Sequence, residues 1–83
     1  MNDYFVYAIK SCKDGRIYIG LSSDPERRLK EHNSSDTKST KAYKPWYLIY
    51  KKFAGSRLQA RTLEKKLKSG SGREFLKTQN IPG

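Results

Sequence analysis

Apolar and polar residues alternate along the N-terminal third of the chain, and further on the period lengthens to that of helices. Tyr4 to Lys10 is rich in aromatic and β-branched residues. It predicts a strand with Val6 and Ala8 on one face and Phe5, Tyr7 and Ile9 on the other. Asp14-Gly15 is a turn signal. Arg16 to Leu21 predicts the returning strand of an antiparallel hairpin, with Ile17, Ile19 and Leu21 alternating against Arg16, Tyr18 and Gly20. Ser23-Asp24-Pro25-Glu26 then opens a helix that the pattern carries to about Asn33. Either Ser23 caps it with Glu26 as reciprocal partner, or Asp24 caps it with Pro25 in the first turn.

From Asn33 to about Pro45 the chain is polar, a long connection for a compact domain and of a kind that is usually functional or mobile. Trp46 to Phe53 predicts a third strand. Gly55-Ser56 precedes a second helix, Arg57 to about Ser69, which Gly70-Ser71-Gly72 is expected to break. Arg73 to Lys77 predicts one more short helical turn, and the chain is expected to fray from about residue 78. No internal repeat is present. The order β-β-α-β-α-α predicts an α+β fold, one domain over residues 1–83, with helices laid against a small sheet.

Charge changes the picture most. Eighteen Lys and Arg oppose eight Asp and Glu, a net +10 that attracts polyanions. A basic face for anionic membrane is disfavoured, because no amphipathic segment pairs Lys with exposed large apolar residues. No apolar run approaches the roughly 20 residues of a membrane span. Met1 to Lys10 has neither a charged leader nor a long apolar stretch, so no signal peptide is expected and the cytoplasm is the default location. The single Cys12 cannot form an internal disulfide, and no Cys/His cluster has zinc spacing.

Candidate chemistry gathers on three elements. A hairpin loop with an even residue count makes partner numbers sum to an odd value, which places Tyr7 and Tyr18 on one face with Phe5, Ile9, Arg16 and Gly20. Gly20, lacking a side chain, would let a phosphate or backbone approach; ordinary cross-strand aromatic packing explains the tyrosines equally well. In the first helix Arg28 and His32 are four apart and share a face. The guanidinium fork suits phosphate oxygens, though Arg27 and Lys30 make a solvated basic face the plainer reading. In the second helix Ala60, Leu63 and Leu67 form an apolar stripe, and Glu64 falls within it. A carboxylate there needs a partner: a basic residue, a tyrosine or a metal ion. No pair among the eight carboxylates resembles a two-metal cluster, so one Mg²⁺ held by Glu64, water and phosphate is the most the chain supports. In the polar loop Lys38, Lys41 and Lys44 are three apart, and Tyr43 could stack on a base; a surface loop is the alternative.

Taken in order, these residues resemble the GIY-YIG nuclease superfamily. The first motif stands as Phe5-Val6-Tyr7, with phenylalanine at the glycine position, and the second is intact as Tyr18-Ile19-Gly20. Leu21 follows, where some members carry lysine. Arg28, His32 and Glu64 fall where the family has its catalytic arginine, a histidine one turn later and its metal-binding glutamate. The resemblance runs through Arg73-Glu74-Phe75-Leu76 and is closest to short stand-alone members related to the N-terminal domain of the UvrC excision-repair nuclease and to YhbQ-type proteins. It implies a three-stranded antiparallel sheet flanked by helices, and metal-dependent hydrolysis of DNA phosphodiester bonds with Mg²⁺ or Mn²⁺, in repair or recombination. Tyr7 or Tyr18 would act as or position a general base, with Arg28 and the metal favouring phenolate. Arg28 would stabilise phosphoryl charge, His32 would orient water or contact phosphate, and Glu64 would hold the metal. Arg16, Gly20, Lys41, Tyr43 and Lys44 would meet the substrate. The alternative is a non-catalytic nucleic-acid-binding module that keeps the fold and works with a partner repair protein, with RNA left open as ligand.

Overall fold

The computed structural model describes residues 3–34 and 42–79. Three strands and three helices follow in the order β1 (Tyr4–Ser11), β2 (Ile17–Ser22), α1 (Pro25–Asn33), β3 (Trp46–Gly55), α2 (Arg57–Leu67) and α3 (Gly70–Lys77). This is the expected α+β fold with its three-stranded antiparallel sheet. The strand order is β2-β1-β3, with β1 in the centre.

The β1–β2 hairpin is set by its turn. Gly15 takes φ 80°, a left-handed conformation that glycine adopts without strain. Its N–H donates to the Ser11 carbonyl at 2.9 Å, and the Asp14 carboxylate accepts from the Arg16 N–H at 3.1 Å. Tyr7 therefore lies across from Gly20, and Ile9 across from Tyr18, with the odd sum that an even loop requires. β3 pairs with the other edge of β1. A register shift between Ala8 and Ile9 steps the partners from Tyr50 to Leu48, past Ile49.

The sheet has a core on each face. Val6, Ala8 and Ile19 pack against Ala60 and Leu67 of α2 and Leu76 of α3. On the other face Tyr7, Ile9 and Trp46 pack with Leu29 of α1. The alternation that puts successive side chains on opposite faces of β1 thus builds two apolar layers from one strand.

Asp24, not Ser23, caps α1, accepting from the Arg27 N–H at 3.2 Å with Pro25 in the first turn. Ser56 and Gln59 form a reciprocal capping box on α2. The glycines at 70 and 72 open α3 rather than merely breaking the chain: the helix spans the whole of Gly70–Lys77. Gly72 is buried, and a Cβ there would collide with the backbone of Leu67. The missing side chain lets the first turn of α3 fold back on the end of α2. The expected fray at residues 80–83 lies outside the described residues. Among the described residues no helix is long and apolar enough to cross a membrane.

Candidate active site

The α1 face of the sheet gathers Tyr7, Tyr18, Arg28 and His32. Tyr7 Oη and His32 Nε2 share a hydrogen bond at 3.1 Å. The Tyr18 ring lies 4.8 Å from the His32 ring and 6.5 Å from that of Tyr7, centroid to centroid. Tyr7 is 1% exposed and His32 0%, so this pair is buried beneath the surface, while Tyr18 and Arg28 are half-buried. His32 reaches the sheet because Asp24 fixes the start of α1 and two helical turns bring position 32 to its sheet-facing side. The basic-face reading of α1 holds for Arg27 and Lys30, which are exposed, and fails for His32.

Gly20 serves Tyr7. A Cβ at Gly20 would meet Tyr7 Oη at 2.7 Å, so the room above the glycine is filled by the phenol ring rather than left open to a phosphate. The cross-strand register explains this, because Tyr7 and Gly20 are direct partners and the ring leans over the bare backbone.

Electrostatics bias both members of the buried pair toward their neutral forms. Burial pushes the Tyr7 phenol up from its ordinary 10.0, a shift that the hydrogen bond from Arg28 only partly offsets. Arg28 acts in the direction expected of it, toward phenolate, but without a metal the desolvation of the charged form is the larger effect. Burial also pulls His32 down from 6.5, and the nearby Arg28 charge adds to the fall. At neutral pH a protonated phenol faces a neutral imidazole.

Arg28 is held by a residue that the motif reading passes over. Its guanidinium is ion-paired to Glu31, whose other oxygen accepts from Arg27 Nε at 3.2 Å. Both arginines hold the Glu31 carboxyl below its usual range, Arg28 the more strongly. Burial works against the Arg28 charge, but the bonds to Tyr7 and Glu31 outweigh it and raise its pKa. The signal was present in the sequence as acid three and four residues after two arginines, the spacing of helical neighbours.

Glu64 comes from the other layer. It lies on α2, which packs on the opposite face of the sheet from α1, and its half-buried carboxylate pairs with Lys68 Nζ at 3.3 Å. Among the described residues no hydrogen bond or ion pair joins Glu64 to Tyr7, Tyr18 or Arg28. No group of three or more His, Cys, Asp or Glu able to hold a metal occurs among them either. Glu64 alone suits an ion that takes its remaining ligands from water and phosphate, as Mg²⁺ does. Its lysine partner is half exposed and free to exchange with solvent.

The remaining candidates are spread around the hairpin end. The Arg16 guanidinium sits 3.5 Å above the centre of the Tyr43 ring and pairs with Asp14 at 2.7 Å, so one face of Tyr43 is already covered. The Tyr43 carbonyl accepts from the Ser11 hydroxyl, which pins the loop end to β1. Lys44 is exposed. Lys38 and Lys41 lie outside the described residues.

The chain is similar in sequence to known proteins. The model of the GIY-YIG catalytic domain matches residues 3–80. A UPF0213 protein of Staphylococcus saprophyticus is 33% identical over 78 residues, covering 93% of this chain and 94% of that protein. A UPF0213 protein of Haloquadratum walsbyi is 36% identical over 70 residues, covering 83% of this chain and 79% of its own length. A UPF0213 protein of Staphylococcus aureus is 33% identical over 70 residues, 83% of this chain and 84% of that one. No solved structure matches the chain at a significant level.

Proposed function

Because the chain belongs to the GIY-YIG catalytic domain family, a superfamily of nucleases, we propose that it is an endonuclease that hydrolyses DNA phosphodiester bonds with the help of one divalent metal ion. The observation that carries this reading is the packed cluster of Tyr7, Tyr18 and His32 beneath Arg28 on one face of the sheet. Tyr18 and Arg28 are its solvent-facing members and meet the phosphodiester. Arg28 exchanges its bond to Glu31 for a phosphate oxygen and balances the charge that builds there. That movement uncovers Tyr7. The phenol takes a proton from the attacking water as it passes its own to His32 Nε2, leaving an imidazolium. The water oxygen bonds to phosphorus as the phosphorus–oxygen bond to one sugar breaks, and the departing sugar oxygen takes a proton from solvent. A neutral His32 is the state such an acceptor needs. Glu64 would hold Mg²⁺ or Mn²⁺, which when bound supplies Lewis-acid charge to a phosphoryl oxygen.

The test is nicking of DNA by the purified protein with Mg²⁺ or Mn²⁺. Arg28→Ala, His32→Ala and Glu64→Ala should each lower the rate by at least about a hundredfold, in the range of lost acid–base or electrostatic groups. Variants that cut like the wild type would overturn these roles.

A non-catalytic binding module is favoured by other observations: the burial of Tyr7, the tie between Arg28 and Glu31, and the placement of Glu64 on the far layer. It predicts DNA or RNA binding that metal does not alter, with cleavage supplied by a partner repair protein in the cytoplasm. An absence of nicking across metals and substrate shapes, with binding intact, selects it.

A further inference from the structure

A cavity of about 460 Å³ opens at the far side of the β2 edge, between the hairpin end and α3. Five cations line it, Lys10, Arg16, Lys68, Arg73 and Lys77, and its apolar floor includes Leu76. Among the described residues no carboxylate lines it. The cations come from four places in the chain: the end of β1, the hairpin turn, the end of α2 and one side of α3. Lys10 makes no ion pair among the described residues. Lys77 reaches Glu74 only at 3.7 Å, and Arg73 Nε donates to the Lys68 carbonyl at 3.0 Å. Exposed ion pairs such as Arg16 with Asp14 and Lys68 with Glu64 contribute little and exchange readily for a better anion. The volume is that of a small-molecule site and suits a nucleotide-sized group.

We infer that this cavity is a second phosphate-binding subsite, which holds the backbone of the bound nucleic acid at a distance from the phosphate that faces Arg28. The inference rests on the phosphodiester reading above and extends it to residues that reading does not use. Continuity supports it. Tyr18 lines the cavity and its ring also packs, tilted, 4.8 Å from that of His32, and Arg16 lines it while covering Tyr43. The two sites therefore meet along the edge strand β2, and one strand of nucleic acid can run from one to the other. An apolar floor ringed by guanidinium and ammonium groups matches a sugar-phosphate chain, with its alternating apolar and anionic parts, better than it matches an acidic peptide.

The experiment is the salt dependence of binding to a fluorescein-labelled DNA duplex, read by anisotropy without metal. Lys10→Ser with Lys77→Ser removes two cavity charges. Lys65→Ser with Lys66→Ser removes two exposed charges from α2 that do not line the cavity. The cavity pair should flatten the log–log salt slope by about 0.9 per lost phosphate contact, roughly 1.8 for the two, and weaken binding at least tenfold at low salt. The α2 pair should change the slope by much less. Equal effects of the two pairs, or an unchanged slope in the cavity pair, overturn the subsite. Lys77→Ser alone gives the same reading at half the amplitude should the double variant lose its circular-dichroism signature of folding. Failure of the nuclease reading shows differently: the wild type binds DNA with the expected slope and cuts none. If the wild type does not bind DNA at all, both ideas fall.

Discussion

At the scale of single residues the site is a problem of room and of protons. Gly20 exists where a side chain would strike Tyr7 Oη. Gly20→Ala should therefore displace the phenol, break its bond to His32 and destabilise the fold by about 1–3 kcal/mol, the usual cost of overpacking. Thermal melting checks the stability, and any nicking activity should fall with it. His32 carries a pH signature. Its folded-state pKa lies below the ordinary 6.5, so the unfolded chain takes up the proton first as pH falls. Stability is then full above about 6.5 and declines below it, by at most about 1.4 kcal/mol per pH unit for one proton, until the folded form also protonates. His32→Phe should lose that decline while starting from a lower stability, because Tyr7 Oη loses its bond to the imidazole. Urea titrations across this window measure both. If His32 accepts the proton, the rate should fall at lower pH than the stability begins to, as the folded-state His32 itself protonates.

At the scale of elements, caps and close contacts decide where the functional side chains point. Asp24 holds the first turn of α1, and with it the direction of Arg28 and His32. Asp24→Ala should cost about 1 kcal/mol and lower activity by more than that loss explains. Ser56→Ala breaks the capping box of α2 at a similar cost. Its effect on activity should be smaller if Glu64 alone depends on α2. Gly72→Ala should be the most damaging of these, because its Cβ meets backbone of Leu67, which cannot rotate away. The periodicity of the sequence located all three helices and strands to within a few residues. The expected break after α2 is present, but α3 starts at Gly70 and not at Arg73: a glycine pair counts against helix locally, whereas the packing of α3 on α2 demands one small residue there.

At the scale of the whole molecule, a net charge of +10 on 83 residues makes attraction to polyanions the dominant long-range property. The proposed phosphate contacts lie along the β2 edge, with the cationic cavity on one side and Arg28 on the other. Wild-type affinity for DNA should fall linearly on a log–log salt plot, with a slope that counts the phosphates engaged. A slope near zero would show that the field does not translate into backbone contact. The two-layer build has a further consequence. The aromatic cluster and Glu64 stand on opposite faces of a single sheet, so a metal at Glu64 and a phosphate at Arg28 would have to meet around its edge.

The sequence by itself determined the elements, their order, the shared face of Tyr7 and Tyr18 and the neighbourhood of Arg28 and His32, because strand alternation, hairpin register and helical spacing are local rules. Its motif string also carried the family. Only the tertiary structure decided that Tyr7 and His32 are buried, that the space over Gly20 belongs to a phenol, that Arg28 is tied to Glu31 and that Glu64 faces Lys68 from the other layer. Desolvation and layer assignment depend on what packs across a gap in the chain. No local pattern holds that information until the two cores close on either side of β1.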